Sequence, residues 1–486
     1  MIKILFIIFN FFSYFVCCYN FVGNFFILTF FFISSNLYVL YSLRKKYIFT
    51  EIFLSIFLWF GFWFKFIIFN NKIGELKEGT GFFDFSAISQ NKALLILSLA
   101  FTLLIFLSYL REHFIFCYKK LLIKNFFKKK KIINFYFKYE FFLLLFFILT
   151  FVLFSILNTN FSIYQKGITN NLDLNPLFIS IFKWLTIFGF ASISSFIIFC
   201  YLKRNKNILI AIAVSFLESF ITSYGFLSRA SFVFNQISFL LGLKKYMELF
   251  HKTFIKNFMI KYFVIIICLS LISIFFINKK RNFLFVGENS SGLNYQEFKK
   301  DCKKFNMNYD YTVKNFVHQL NKNETIHLAF NRWVGLDAWF AVIGHANLNK
   351  SLFFDSLKEK FNKEKYSYYQ NIFLNKKNEN YKVNFHSENY GIIVPGFFAY
   401  SFYSGSILFF LTLVTFFYLV GVFIEYLSFK FSFGNIIFSS LISQIYVYRI
   451  IHFGYLPYQT YLLIGAILLN ILLYYGIVFL FNKYQK

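Results

Sequence analysis

Apolar runs separated by short polar breaks fill most of the chain, at 4–20, 21–42, 49–69, 93–110, 140–157, 177–201, 208–225, 230–243, 259–277, 406–428, 434–451 and 460–481. A helix crossing the hydrocarbon core of a bilayer needs roughly 20 predominantly apolar residues, so this spacing predicts a bundle of membrane-spanning helices. Basic residues gather in alternate breaks: Arg44-Lys45-Lys46, the 111–139 stretch with Lys128 to Lys131, Lys203-Arg204-Asn205-Lys206, Lys244 through Lys256, Lys430, and Lys483 with Lys486. Cytoplasmic loops carry the excess of Lys and Arg. With these breaks inside, 70–92, 158–176, 226–229, 278–405 and 452–459 face out, and the two sets alternate through twelve spans with both termini cytoplasmic. The run 230–243 is short for a span, and reads either as tilted and extended by its flanks or as re-entrant. Met1-Ile2-Lys3 leads directly into apolar sequence without a small-residue cleavage site, which reads as a first span rather than a signal peptide.

The segment 278–405 differs in kind. It is rich in Lys, Asn, Glu and Tyr, and in Leu293 to Lys304 and Ser351 to Lys365 apolar residues recur at three- and four-residue spacing, an amphipathic helical pattern. Its length marks a domain rather than a loop. The expected fold is therefore an all-α polytopic membrane protein of about 12 transmembrane helices with one large, mainly helical external (periplasmic) domain. The parts are a membrane bundle of about nine spans over 1–277, the external domain 278–405, and three C-terminal spans in 406–486. No internal repeat is evident.

Composition narrows the class. Of 486 residues 58% are hydrophobic and mean hydropathy is +0.58, beyond the range of soluble globular domains. The 82 Phe residues stand in for Leu on lipid-facing surfaces, so a single Phe carries little information. The net charge of +29 sits largely in short loops, where the positive-inside rule explains it without nucleic acid. Cys17, Cys18, Cys200 and Cys268 lie in apolar runs, Cys117 in a basic loop and only Cys302 in the large polar segment, so neither an intrachain disulfide there nor a CxxC centre is expected. No Walker motif, Gly-rich phosphate loop or GxSxG elbow occurs, which excludes ATP-driven transport by this chain alone.

Ionisable groups inside apolar runs are costly and mark function. Glu218 sits mid-run, about three turns before Arg229 if one helix carries both, as a proton carrier, a general base or the partner of a buried Arg. Its bland alternative is a hydrogen bond to a neighbouring helix. Lys65 and Lys183 lie nearer run ends, where long side chains snorkel, and Glu425 is near enough to a cytoplasmic end to be solvated. Arg is scarce, seven against 43 Lys, so an Arg in place of the default Lys points to bidentate recognition of phosphate. Arg229, Arg332 and Arg449 all fall on the outer side; the alternative is anchoring against lipid phosphates. His345 has the free pKa of a general acid or base, and Asp337 is a second candidate base or an ion-pair partner of Arg332. His452, three residues after Arg449, shares its face on an α-helix. No HExxH or acidic cluster indicates a metal site, and no cofactor is expected.

Several stretches resemble the superfamily of bacterial O-antigen polymerases and O-antigen ligases: Ile163-Tyr164-Gln165-Lys166-Gly167 before Lys183-Trp184-Leu185, Leu227-Ser228-Arg229-Ala230, Arg332-Trp333-Val334-Gly335-Leu336, Pro395-Gly396-Phe397, Ser404-Gly405-Ser406 and Arg449-Ile450-Ile451-His452-Phe453-Gly454. The layout is similar too, with about a dozen spans and one large outer loop before the last few. The resemblance implies inverting, metal-independent glycosyl transfer from an undecaprenyl-pyrophosphate-linked oligosaccharide, at the periplasmic face of the bacterial inner membrane. It implies Arg229 and Arg332 on the pyrophosphate with Arg449, His452 and Lys183 assisting, and His345, Asp337 or Glu218 as the base. Membrane lipids and a chain-length regulator are the implied partners. Rival readings are a glycosyltransferase using a polyprenyl-phosphate sugar, for which Glu75, Glu78 and Asp84 stand in the first outer loop, and a twelve-span secondary transporter or lipid-linked oligosaccharide flippase. The Phe bias alone fits an organelle-encoded respiratory subunit.

Overall fold

The computed structural model describes residues 2–44, 46–71, 80–115, 118, 131–165, 174–250, 256–286, 333, 335–359, 367–374, 395–452 and 457–484. Every apolar run becomes a helix: α1 Ile2–Asn20, α2 Phe25–Ser42, α3 Phe49–Asn70, α4 Ala87–Phe114, α5 Glu140–Phe161, α6 Pro176–Arg204, α7 Ile208–Gly225, α8 Ser231–Phe250 and α9 Lys256–Val286. Within the expected external segment follow the short α10, Leu336–Ile343, and α11, Lys350–Leu357. The C-terminal bundle is α12, Ile407–Phe431, α13, Ile436–Tyr446 continuing through Val447–His452, and α14, Pro457–Tyr484. No strand occurs among the described residues.

Nine of these helices are long and apolar enough to cross a membrane, which makes the chain a multi-pass membrane protein. Of the other three of the twelve expected spans, α1 is apolar over Phe6–Asn20, while α8 and α13 do not meet that measure. α8 has 20 residues, about 30 Å of helix, but Lys244, Lys245 and Glu248 occupy its last part.

Local chemistry sets the helix starts. Side chains of Asn24, Ser86, Asn175, Asn207, Ser406 and Asn435 accept backbone N–H bonds at the beginnings of α2, α4, α6, α7, α12 and α13, and Pro176 follows its cap at the first helical position. Ends meet ends. Asn20 bonds Asn71 at 2.9 Å and the Asn24 amide bonds Asn91 at 2.8 Å, whereas Lys206 pairs with Glu140 at 2.5 Å at the opposite end of the bundle. α8 and α13 pack closely, since a Cβ on Gly242 would meet Ile437 Cα at 2.8 Å. Small residues allow such packing where lipid offers no hydrophobic drive.

Among the described residues four stretches wind as π-helix: Trp59–Phe64, Arg111–Ile115, Leu185–Gly189 and Val447–His452. Such bulges concentrate at functional sites, and here each begins at, contains or lies within two residues of a basic residue: Lys65, Arg111, Lys183 or Arg449.

Several expectations change. α9 runs on to Val286, past the expected boundary at 277. All eight residues of α10 are buried, and its seven apolar ones join the same apolar core as the bundle; residues 287–332 of the 278–405 segment lie outside the described residues. Lys65 does not snorkel: it is 2% exposed and pairs with Asp337. Glu425 is not solvated. It is fully buried, accepting from the amides of Phe49 and Thr50 at 2.8 and 2.7 Å, from Thr50 Oγ1 at 2.7 Å and from Tyr118 Oη at 2.5 Å. It closes the N-terminus of α3, where a helix dipole favours negative charge.

Candidate anion site at the start of α8

α7 ends at Gly225, and the chain turns through Leu227, whose φ is +55°, before α8 begins at Ser231. Glu218 and Arg229 are therefore on different segments, not one helix. Asn158 of α5 holds this corner in place, its Nδ2 donating to Gly225 O at 2.9 Å and Tyr164 O at 2.8 Å. The Tyr164 ring consequently lies 4.9 Å from that of Phe226. Lys183 Nζ sits 5.1 Å from the Tyr164 ring centre, and the Arg449 guanidinium 5.8 Å from that of Phe226. Two cations from α6 and α13 are thus connected through two adjacent, tilted rings, each cation–ring contact contributing about 0.5–2 kcal/mol according to its exposure.

Beside this ladder lies a polar cleft lined by Thr186, Ser231, Asn235, Gln444, Tyr448 and Arg449, with apolar Ile187, Phe234 and Ile445. Ser231 and Asn235 are in the first turns of α8, so the cleft faces a helix N-terminus carrying about half a positive charge. Arg229 stands two residues before Ser231. Gln444 Oε1, buried in the wall, has no hydrogen-bond partner among the described residues; such a group is expected to have a functional or solvent partner. The enclosed volume is about 20 Å³, room for one water. A larger anion enters only if the walls part, and the π-helical Leu185–Gly189 and Val447–His452 form two of those walls.

An aromatic wall extends the site toward α10. Trp333 stacks on Phe60 at 4.3 Å and reaches Phe57 at 6.1 Å; Phe57 touches Phe234 and Tyr448 of the cleft at 5.1 and 5.9 Å. Trp333 is fixed from behind, since Lys65 Nζ donates to its carbonyl at 3.0 Å and to Asp337 Oδ2 at 2.5 Å.

The expected residues therefore divide. Lys183 and Arg449 flank the Tyr164–Phe226 pair, and Arg229 follows Phe226 by three residues in the turn. Arg332 lies outside the described residues, as do Glu75, Glu78 and the side chain of His452; the π winding of Val447–His452 removes the α-helical reason for placing His452 on the Arg449 face. Asp337 is the partner of Lys65. His345 is not in the cleft. Burial lowers its pKa, and its Nδ1 accepts the Asn347 amide at 3.2 Å, which leaves the proton of the neutral ring on Nε2 and engages the lone pair a general base would use. Asp84 is exposed and caps its own turn through Ser86 N at 3.1 Å. Glu218 is sealed between helices, bonded by hydroxyls.

Sequence reasoning missed Arg111 and Glu51. Arg111 donates from Nε and Nη2 to the two carboxylate oxygens of Glu51 at 3.0 and 2.5 Å, and from Nη1 to Lys46 O at 3.0 Å, while Tyr418 Oη donates to Glu51 at 2.6 Å. An acid at the start of one apolar run and an Arg at the end of another were the available signal. No known protein family, curated protein or solved structure matches this chain.

Proposed function

We propose that this chain is a twelve-span oligosaccharide repeat-unit polymerase of the O-antigen type in the bacterial inner membrane, with 278–405 contributing an external domain. It transfers a glycan from undecaprenyl pyrophosphate to an acceptor sugar hydroxyl at the periplasmic face; the ligase reaction, or transfer from a polyprenyl-phosphate sugar, uses the same chemistry. The observation that carries this reading is the polar cleft at the N-terminus of α8, lined by Arg449, with the Lys183–Tyr164 and Arg449–Phe226 contacts beside it and Arg229 in the turn before α8. As the glycosidic bond breaks, negative charge grows on the leaving pyrophosphate. Fixed guanidinium groups and helix N–H groups favour that state over the ground state. The polyprenyl tail would lie along the Phe-rich lipid-facing flanks. Membrane lipids and a chain-length regulator are the corresponding partners.

A second reading, a twelve-span secondary transporter or lipid-linked oligosaccharide flippase, is favoured by the mid-helix carboxyl of Glu218. Gene deletion followed by gel analysis of surface glycans and lipid-linked intermediates separates the readings. Loss of the ladder beyond one repeat supports the polymerase, and long chains stranded on undecaprenyl pyrophosphate support the ligase. Single units trapped at the cytoplasmic face support the flippase. A full ladder from Arg449→Ala and Arg229→Ala proteins at normal membrane levels overturns the role of the cleft.

A further inference from the structure

Four carboxylates are sealed inside the described bundle. Three of them have donors suited to a negative charge: Glu51 has Arg111, Asp337 has Lys65, and Glu425 has two backbone amides and two hydroxyls at 2.5–2.8 Å. Glu218 differs. It is 1% exposed, and its side-chain partners are three hydroxyls, Ser194 and Ser219 at 3.2 and 3.1 Å from Oε2 and Thr222 at 3.2 Å from Oε1. A hydroxyl on an ionised carboxylate closes to about 2.5–2.7 Å, as Tyr418 does on Glu51 and Thr50 on Glu425. Neither serine on Glu218 has closed, and the Thr222 hydroxyl makes its shorter bond, 2.7 Å, to the Glu218 backbone carbonyl.

Among the described residues no counter-charge meets Glu218; Lys280 of α9 packs on α7 over the Tyr224 ring instead, at 4.7 Å. From α5, α6, α8 and α9, the helices packed on α7, no charged side chain reaches Glu218 among the described residues. The titratable group joined to its network is Tyr262, which donates to Gln236 Oε1 at 2.9 Å while Gln236 Nε2 donates to Ser219 Oγ at 2.9 Å. An uncompensated buried carboxylate is strongly unfavourable in a membrane, whereas oxygen ligands around a carboxylate suit a hard cation.

We propose that Glu218 is the centre of a binding site for one monovalent cation, a proton or a sodium ion, with Ser194, Ser219 and Thr222 as its oxygen neighbours. Its occupancy governs the packing of α6, α7, α8 and α9, because Ser194, Gln236 and Tyr262 carry the network into each of the other three. The site is separate from the cleft: Glu218 is seven residues, about 10 Å of helix, from Gly225 at the turn that bears Arg229.

The test uses the full chain purified in detergent, as wild type, Glu218→Gln, Thr222→Val and Arg449→Ala. Thermal unfolding is followed in sodium chloride against choline chloride, and infrared difference spectra between neutral and alkaline pH are searched for a protonated-carboxyl C=O band. A sodium-dependent rise in Tm that Glu218→Gln abolishes identifies sodium. A carboxyl band that Glu218→Gln removes identifies the proton. If Glu218→Gln does not fold, Thr222→Val decides: it raises the half-effective sodium concentration about tenfold, or shifts the carboxyl band. Arg449→Ala keeps the cation response whatever becomes of the glycan reading. Wild-type protein with neither a sodium effect nor a carboxyl band, or responses unchanged in both Glu218→Gln and Thr222→Val, overturns the site.

Discussion

Lys65 and Asp337, 272 positions apart in the chain, form an ion pair of 2.5 Å with both side chains almost wholly buried. The pair fastens α10 to the last turns of α3, and the same ammonium holds the Trp333 carbonyl. Removing one member strands the other charge, at a cost of about 3–5 kcal/mol, while replacing both with apolar or neutral groups of similar size is far milder. Lys65→Met and Asp337→Asn should each lower Tm strongly, and the double variant should recover much of the loss. A thermal-unfolding double-mutant cycle measures this; additive losses would refute the coupling.

A second buried knot sits at the other end of α3. Glu425 from α12 binds the Phe49 and Thr50 amides, and in the next position Glu51 takes both arms of Arg111. Glu425→Gln retains an acceptor oxygen for these amides but no charge, whereas Glu425→Ala leaves the buried donors without any partner. Ala is expected to cost about 1–3 kcal/mol more than Gln, read from the detergent-solubilised Tm. Arg111→Lys keeps a charge opposite buried Glu51 and should fall between wild type and Arg111→Ala, since an ammonium cannot span both oxygens of Glu51 and the Lys46 carbonyl at once.

The helices were legible because run length and loop charge act locally: α3, α6 and α12 begin and end within a few residues of the apolar runs that predict them. Partners were not. Nothing near Lys65 in sequence announces Asp337, and Glu425 looks solvated until α3 places its first amides against it. The Arg449 cleft was half legible. The scarcity of Arg singled out Arg229 and Arg449, but their platform depends on Asn158 drawing Tyr164 to Phe226, a relation between three segments. The π winding at Val447–His452 also defeats a face argument that assumes 3.6 residues per turn.

His345 gives a prediction with a definite sign. Burial lowers its pKa in the folded protein, so the unfolded chain binds the proton more readily. Its contribution to stability is complete above the unfolded value near 6.5 and is lost as pH falls through the depressed folded value. His345→Gln should therefore flatten the acid limb of Tm against pH while leaving the neutral region little changed. Because the ring is only partly buried the effect is small, and an acid limb steeper in the variant than in wild type would contradict it.

Arg449 allows recognition geometry to be separated from charge. Its guanidinium lies over Phe226 and Tyr448, each at 5.8 Å, and borders the cleft at the start of α8. A planar cation stacks on rings and forks onto a phosphate; an ammonium carries the same charge without the plane. If the cleft holds pyrophosphate, Arg449→Lys should lose most of the function lost in Arg449→Ala, with roughly tenfold or weaker binding of inorganic pyrophosphate for each 1.4 kcal/mol of contact removed. Should Arg449 serve only as a point charge against lipid phosphates, Lys would restore wild-type behaviour. Pyrophosphate binding to purified protein, titrated at two salt concentrations beside the glycan ladder from complemented cells, distinguishes the cases, since screening weakens an exposed point charge more than a forked, partly buried contact.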